Sequence, residues 1–89
     1  MSKGYLYILQ SEKSGSYYVG STLDTENRLS LHNIGKVPST KGKGPWKLVF
    51  NQVFNTKSEA QSVEFRLKKK KSKIILEKII ADGVIKFNN

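Results

Sequence analysis

Apolar and aromatic side chains fill every position of Tyr5-Leu6-Tyr7-Ile8-Leu9. A run without alternation suits a strand covered on both faces, and we read it as the central strand. Ser11-Glu12-Lys13-Ser14-Gly15-Ser16 is polar and of a length that closes a hairpin, so Tyr17-Tyr18-Val19-Gly20 is read as an antiparallel return strand. Side chains alternate across a strand, so Tyr5 and Tyr7 share one face, and the register of the turn decides whether Tyr18 joins them.

Asp24 is a good helix cap, and the helix it opens ends at Gly35, where a left-handed closing residue costs little. Arg28 and His32, four apart, stack on one side of it with Thr25 and Leu29, while Leu31 and Ile34 fall on the other. Residues 35 to 45 combine three glycines, two prolines and three lysines, which predicts a mobile, phosphate-contacting loop. From Trp46 the pattern alternates, with Trp46, Leu48, Phe50 and Phe54 on one face and Val49 and Val53 on the other, a third strand.

Thr56-Lys57-Ser58-Glu59 has the form of a capping box and opens a helix to about Lys71 whose apolar stripe is Ala60, Val63 and Leu67. Ser72 caps a further helix, Lys73 to Asp82, with Ile75, Leu76, Ile79 and Ile80 facing inward and Gly83 ending it. Residues 84 to 89 form a tail in which Val84-Ile85 is a candidate short strand. The order ββαβαα predicts an α+β fold, a three-stranded, largely antiparallel sheet flanked by helices. One domain is expected over residues 1 to 89, with its core at about 4 to 82.

A chain of 89 residues buries roughly 60 to 70% of its unfolded surface, so the core is modest. Cysteine is absent, which leaves no disulfide framework and no thiolate metal site. No apolar run is long enough to span a membrane and no charged-then-apolar leader opens the chain, so no membrane partner and a cytoplasmic location are expected.

Charge changes the picture more. Sixteen lysines and arginines against seven acids give +9. Residues 33 to 58 contain no acid but hold Lys36, Lys41, Lys43, Lys47 and Lys57, and residues 65 to 76 hold Arg66, Lys68, Lys69, Lys70, Lys71 and Lys73, again without an acid. Such blocks are either a solvated surface or the electrostatic footprint of a polyanion. The excess of lysine over arginine favours backbone contact over base reading. Lys36, Lys41, Lys43 and Lys68 to Lys71 are the candidate nucleic-acid contacts.

Glu64 stands within the apolar stripe of its helix, where a carboxylate costs several kcal/mol unless it is protonated, paired or bound to a cation. Arg28 is its structural partner on that reading, and a divalent metal the functional one; an oxygen ligand with open positions suits Mg²⁺.

Tyr5-Leu6-Tyr7, a ten-residue gap and Tyr18-Val19-Gly20, followed by Arg28, His32 and Glu64 in that order, resemble the GIY-YIG nucleases in the degenerate form of the small stand-alone, UPF0213-like bacterial members. The resemblance covers roughly residues 4 to 80 and implies a metal-dependent endonuclease hydrolysing phosphodiester bonds of DNA, structure-selective or nonspecific. The alternative is a nucleic-acid-binding module of the same fold that cleaves little or not at all.

By the same resemblance Tyr7 or Tyr18 is the general base or orients the water, Arg28 is the transition-state cation, His32 a hydrogen-bond or proton-relay partner, and Glu64 the sole protein ligand of one Mg²⁺ or Mn²⁺. A phenol titrates near 10 unperturbed, so the base role implies a pKa lowered by Arg28 or by metal-bound water. The pattern departs from the family in three places. Tyr5 replaces the first glycine, Ser21 stands where some members carry a lysine, and Leu76 lies where many carry an asparagine.

Overall fold

The computed structural model describes residues 3–85. Three strands form one sheet in the order β2-β1-β3, with β1 at Gly4–Ser11, β2 at Tyr17–Thr22 and β3 at Trp46–Phe54, every neighbouring pair antiparallel. Helix α1 spans Thr25–Asn33, α2 Lys57–Lys70 and α3 Lys73–Asp82, and a single 3₁₀ turn lies at Pro38–Thr40. This is the α+β fold in the order ββαβαα. Among the described residues no helix is long and apolar enough to cross a membrane.

The central strand is buried on both faces, as its unbroken apolar run demands. Leu6, Ile8, Val19 and Phe50 meet Val63 and Leu67 of α2, Ile79 of α3 and Ile85 in the larger core. Tyr7 and Leu9 face the other way, against Trp46, with Tyr18 and Leu29 packed around them. Leu9 pairs with Tyr18 and Tyr7 with Gly20, which places Tyr18 on the Tyr7 face.

Strand β3 does not keep one face throughout. The register slips between Ile8, opposite Phe50, and Leu9, opposite Leu48, leaving Val49 as the extra residue of a bulge. Trp46 therefore packs with Tyr7 while Phe50 packs with Leu6, and the expectation that they share a face fails. The tail corrects a second expectation. Val84 and Ile85 form no strand; Ile85 is buried and its N–H donates to Oε1 of Gln52 at 2.8 Å. The rest of the expected tail, residues 86 to 89, lies outside the described residues.

Helix ends follow their caps. Asp24 accepts from Asn27 N–H, Thr56 from Glu59 N–H and Ser72 from Ile75 N–H, and Gly83 closes α3 at φ +75°. Helix α1 is unusual in turning polar side chains inward, since its buried residues are Thr25 and His32. The lysine loop is tied to the rest of the fold at several points. Val37 and Thr40 are buried, Ser11 Oγ donates to the Lys43 carbonyl at 2.7 Å, and Glu12 N–H donates to the Pro45 carbonyl at 2.9 Å. Trp46 Nε1 adds a bond to the Thr40 carbonyl, and the Asn33 amide brackets the Trp46 backbone at 2.7 and 3.1 Å. These bonds satisfy backbone groups in the loop.

Candidate active site

Strand register brings the first two candidates into place. Tyr7 lies opposite Gly20, and its ring covers the glycine so closely that a Cβ there would collide with the phenol. The phenol oxygen reaches Nε2 of His32 on α1 at 2.9 Å, and both side chains are almost wholly buried. Behind it, Nδ1 of His32 lies 2.7 Å from the Thr40 hydroxyl, which donates to the Val37 carbonyl at 3.4 Å. We assign the Thr40 proton to that carbonyl; Nδ1–H then donates to Thr40 and Nε2 accepts from Tyr7.

Electrostatics correct the expectation that a base phenol has a lowered pKa. Burial pushes the Tyr7 pKa above its ordinary 10; the Arg28 guanidinium beside it works against the rise, and Tyr18 and Glu64 add to it. Burial, reinforced by the charge of Arg28, lowers His32 to about 4, so at neutral pH the ring is uncharged and able to accept a hydrogen bond. Arg28, half-buried on the same face of α1, forms no ion pair among the described residues, and its Nε is shielded from solvent without a hydrogen-bond partner.

Tyr18 stands between these groups and the β2 edge. Its ring centroid is 4.9 Å from that of His32 and 6.4 Å from those of Tyr7 and Trp46. At the same edge Glu64 reaches across from α2. Ser21 Oγ donates to its Oε1 at 2.5 Å and Lys68 Nζ lies 2.6 Å from its Oε2. The expected partner Arg28 is thus not the partner found, because Lys68, one turn further along α2, is nearer to hand.

Two cavities, of about 430 and 510 Å³, flank Tyr17 and Tyr18 and share Ser14 and Ser16. Lys68, Lys71 and Lys73 line the first, Lys13 and Lys43 the second. Of the lysines singled out from the sequence, Lys43, Lys68 and Lys71 are brought to this region. Lys36, Lys41, Lys69 and Lys70 are exposed and line neither cavity.

Residues 3–79 match the model of the GIY-YIG catalytic domain. The chain belongs to the GIY-YIG family. A UPF0213 protein of Streptococcus pneumoniae is 46% identical over 70 residues, which make up 78% of this chain and 70% of that protein. One from Staphylococcus saprophyticus is 42% identical over 82 residues, covering 86% of this chain and 99% of the other. The solution NMR structure of a UPF0213 protein from Bacillus halodurans superposes with a TM-score of 0.55 at 35% identity, over 89% of this chain and 83% of that one. Membership makes this a GIY-YIG domain of a nuclease family that generally depends on divalent metal and binds nucleic acid.

In this GIY-YIG domain Tyr7, Tyr18, Arg28 and His32 gather on one face of the sheet, and Glu64 arrives at its edge from the helix on the other. Sequence reasoning missed Thr40, whose placement depends on how its loop folds, and took Ser21 only as a departure from the family pattern. The hydroxyl of Ser21, beside the second motif, was the one local signal of a hydrogen-bond donor there. Leu76 is half-buried, packs on the larger core and lines the Lys71 cavity.

Proposed function

We propose that this GIY-YIG domain is a metal-dependent endonuclease that hydrolyses phosphodiester bonds of DNA, with Mg²⁺ or Mn²⁺ held by Glu64. The observation that carries the reading is Arg28, a guanidinium beside Tyr7 with no carboxylate of its own. A half-buried guanidinium whose donor fork is not spent on a carboxylate suits a substrate phosphate.

Glu64 fits a hard divalent cation. Its Oε2 already holds a cation, the Lys68 ammonium, and Ser21 contributes a hydroxyl oxygen next to it. No group of three or more His, Cys, Asp and Glu gathers among the described residues, so an ion on Glu64 would keep most of its coordination positions open to water and substrate oxygens. When bound, the ion would supply Lewis-acid charge to a phosphate oxygen.

The side chains divide the remaining work. Arg28 offsets negative charge developing on the phosphate. Tyr7 receives the proton of the attacking water while passing its own to Nε2 of His32, which avoids a free phenolate; the imidazolium that results, disfavoured by burial and Arg28 in the free protein, is offset by the negative charge of the bound phosphate. Thr40 holds the imidazole in the tautomer that can accept. Tyr18, packed edge-on against His32, shapes the wall on which water and phosphate are oriented.

Glu64→Gln tests the reading with labelled branched, single-stranded and duplex DNA, and with RNA, in Mg²⁺, Mn²⁺ or EDTA. Wild type should cut DNA only with metal. The variant should bind but not cut, and should lose the metal-induced rise in melting temperature. The Glu64–Lys68 pair is partly exposed and contributes no more than about 0.5 kcal/mol, so without metal the variant should melt within a few degrees of wild type. Cleavage by the variant at the wild-type rate would overturn the assignment.

A further inference from the structure

Both oxygens of the Glu64 carboxylate are already engaged, one by a hydroxyl from β2 and the other by the Lys68 ammonium. An ordinary pair four residues apart on a helix points to solvent. This one is turned into the site, because Nζ also lies 5.1 Å from the centroid of the Tyr18 ring, where the π face attracts a cation. The carboxylate is 22% exposed and the lysine side chain 45%, so the ammonium forms the outer, more accessible member.

A divalent ion approaching Oε2 meets a positive charge already seated there, and the two cannot share one carboxylate oxygen without strong repulsion. The lysine has another place to go. It lines the cavity beside Tyr17 and Tyr18 together with Lys71 and Lys73, where a phosphate would offer it new oxygen acceptors.

We propose that Lys68 is the exchangeable counter-cation of Glu64: it holds the carboxylate in the metal-free protein, and its transfer to a substrate phosphate opens the carboxylate to the metal. This rests on the reading of Glu64 as a metal ligand. Metal and nucleic acid then bind cooperatively, since each favours the state in which the Lys68–Glu64 pair is broken, and linkage makes the effect reciprocal.

The test is Mn²⁺ affinity of the full chain, read from the EPR signal of free Mn²⁺, for wild type, Lys68→Met, Lys68→Arg and Glu64→Gln without nucleic acid. Lys68→Met removes the competing charge and should bind Mn²⁺ about tenfold more tightly, within the usual range of coupling between sites. Lys68→Arg keeps a cation on the carboxylate and should bind no better than wild type. A second measurement follows a fluorescent phosphorothioate oligonucleotide by anisotropy with and without Mn²⁺, using Glu64→Gln to define the background effect of the ion on the nucleic acid. Mn²⁺ should raise oligonucleotide affinity above that background in wild type and not in Lys68→Met.

Equal Mn²⁺ affinities in wild type and Lys68→Met, with binding abolished by Glu64→Gln, would overturn the role of Lys68 and leave the metal site standing. Tighter binding in Lys68→Arg as well as Lys68→Met would also overturn it, since the retained charge would then not matter. Absence of saturable Mn²⁺ binding in both wild type and Lys68→Met would instead remove the metal site, and the role of Lys68 with it.

Discussion

The phenol oxygen of Tyr7 lies 2.9 Å from Nε2 of His32, joining the central strand to a helix 25 residues away in sequence. With Thr40 behind the ring and Arg28 beside the phenol, this pair forms a line of donors and acceptors running from the phenol to a buried carbonyl.

His32 should make the protein acid-sensitive. Its folded pKa of about 4 lies below the ordinary 6.5, so the unfolded chain takes up the proton first. The sign follows: stability is full above about pH 6.5 and falls as pH drops toward 4, by on the order of 3 kcal/mol in total. Melting temperatures recorded between pH 7.5 and 5, where most carboxylates remain ionised, should decline in wild type and stay flatter in His32→Gln. Parallel curves would mean that the imidazole is not held neutral by the fold.

Thr40→Val deletes the acceptor for Nδ1–H. Either that buried donor is left unpaired, at about 1–3 kcal/mol, or the proton moves to Nε2 and Tyr7 loses its acceptor. Cleavage should fall on the order of 100-fold, the low end of what positioned proton transfer contributes. Thr40→Ser should restore it, and ¹⁵N shifts of the imidazole should report the tautomer in each variant. An unchanged spectrum and rate in Thr40→Val would refute the relay.

Gly20→Ala puts a methyl into the Tyr7 phenol. Overpacking of this kind costs about 1–3 kcal/mol, and in a domain of this size each kcal/mol lowers the melting temperature by about 4–8 °C. The variant should also lose cleavage out of proportion to its folded fraction, because the displaced ring leaves His32. If it melts and cuts like wild type, the close approach is not rigid.

Salt dependence should separate the lysines. Lys71→Gln/Lys73→Gln and Lys13→Gln/Lys43→Gln remove charges from the two cavities beside Tyr18, whereas Lys69→Gln/Lys70→Gln removes the same number from outside both. Neutralising a lysine that pairs with a phosphate should lower the slope of log affinity against log salt by about 0.9 for duplex and about 0.7 for single-stranded DNA. Equal slopes in all three double variants would mean that net charge alone governs binding and that the cavities are not the phosphate path.

The chain by itself determined what depends on neighbours a few residues away. The doubly buried strand was legible from an unbroken apolar run, the helices from their periods and from Asp24, Thr56, Ser72 and Gly83 at their ends, and the Arg28/His32 face from a spacing of four. The two-part tyrosine signature carried the family in the same local way. Tertiary structure decided whatever depends on two distant segments meeting. Hairpin register put Tyr18 on the Tyr7 face, a bulge at Val49 turned Trp46 away from Phe50, and buried hydrogen bonds fixed a glycine-rich loop so that Thr40 reached His32. Glu64 shows the division in one residue. Its place in an apolar stripe demanded a partner, and Lys68, four residues further along the same helix, is within local reach, but only the packing of α2 against the edge of β2 brings Ser21 to it.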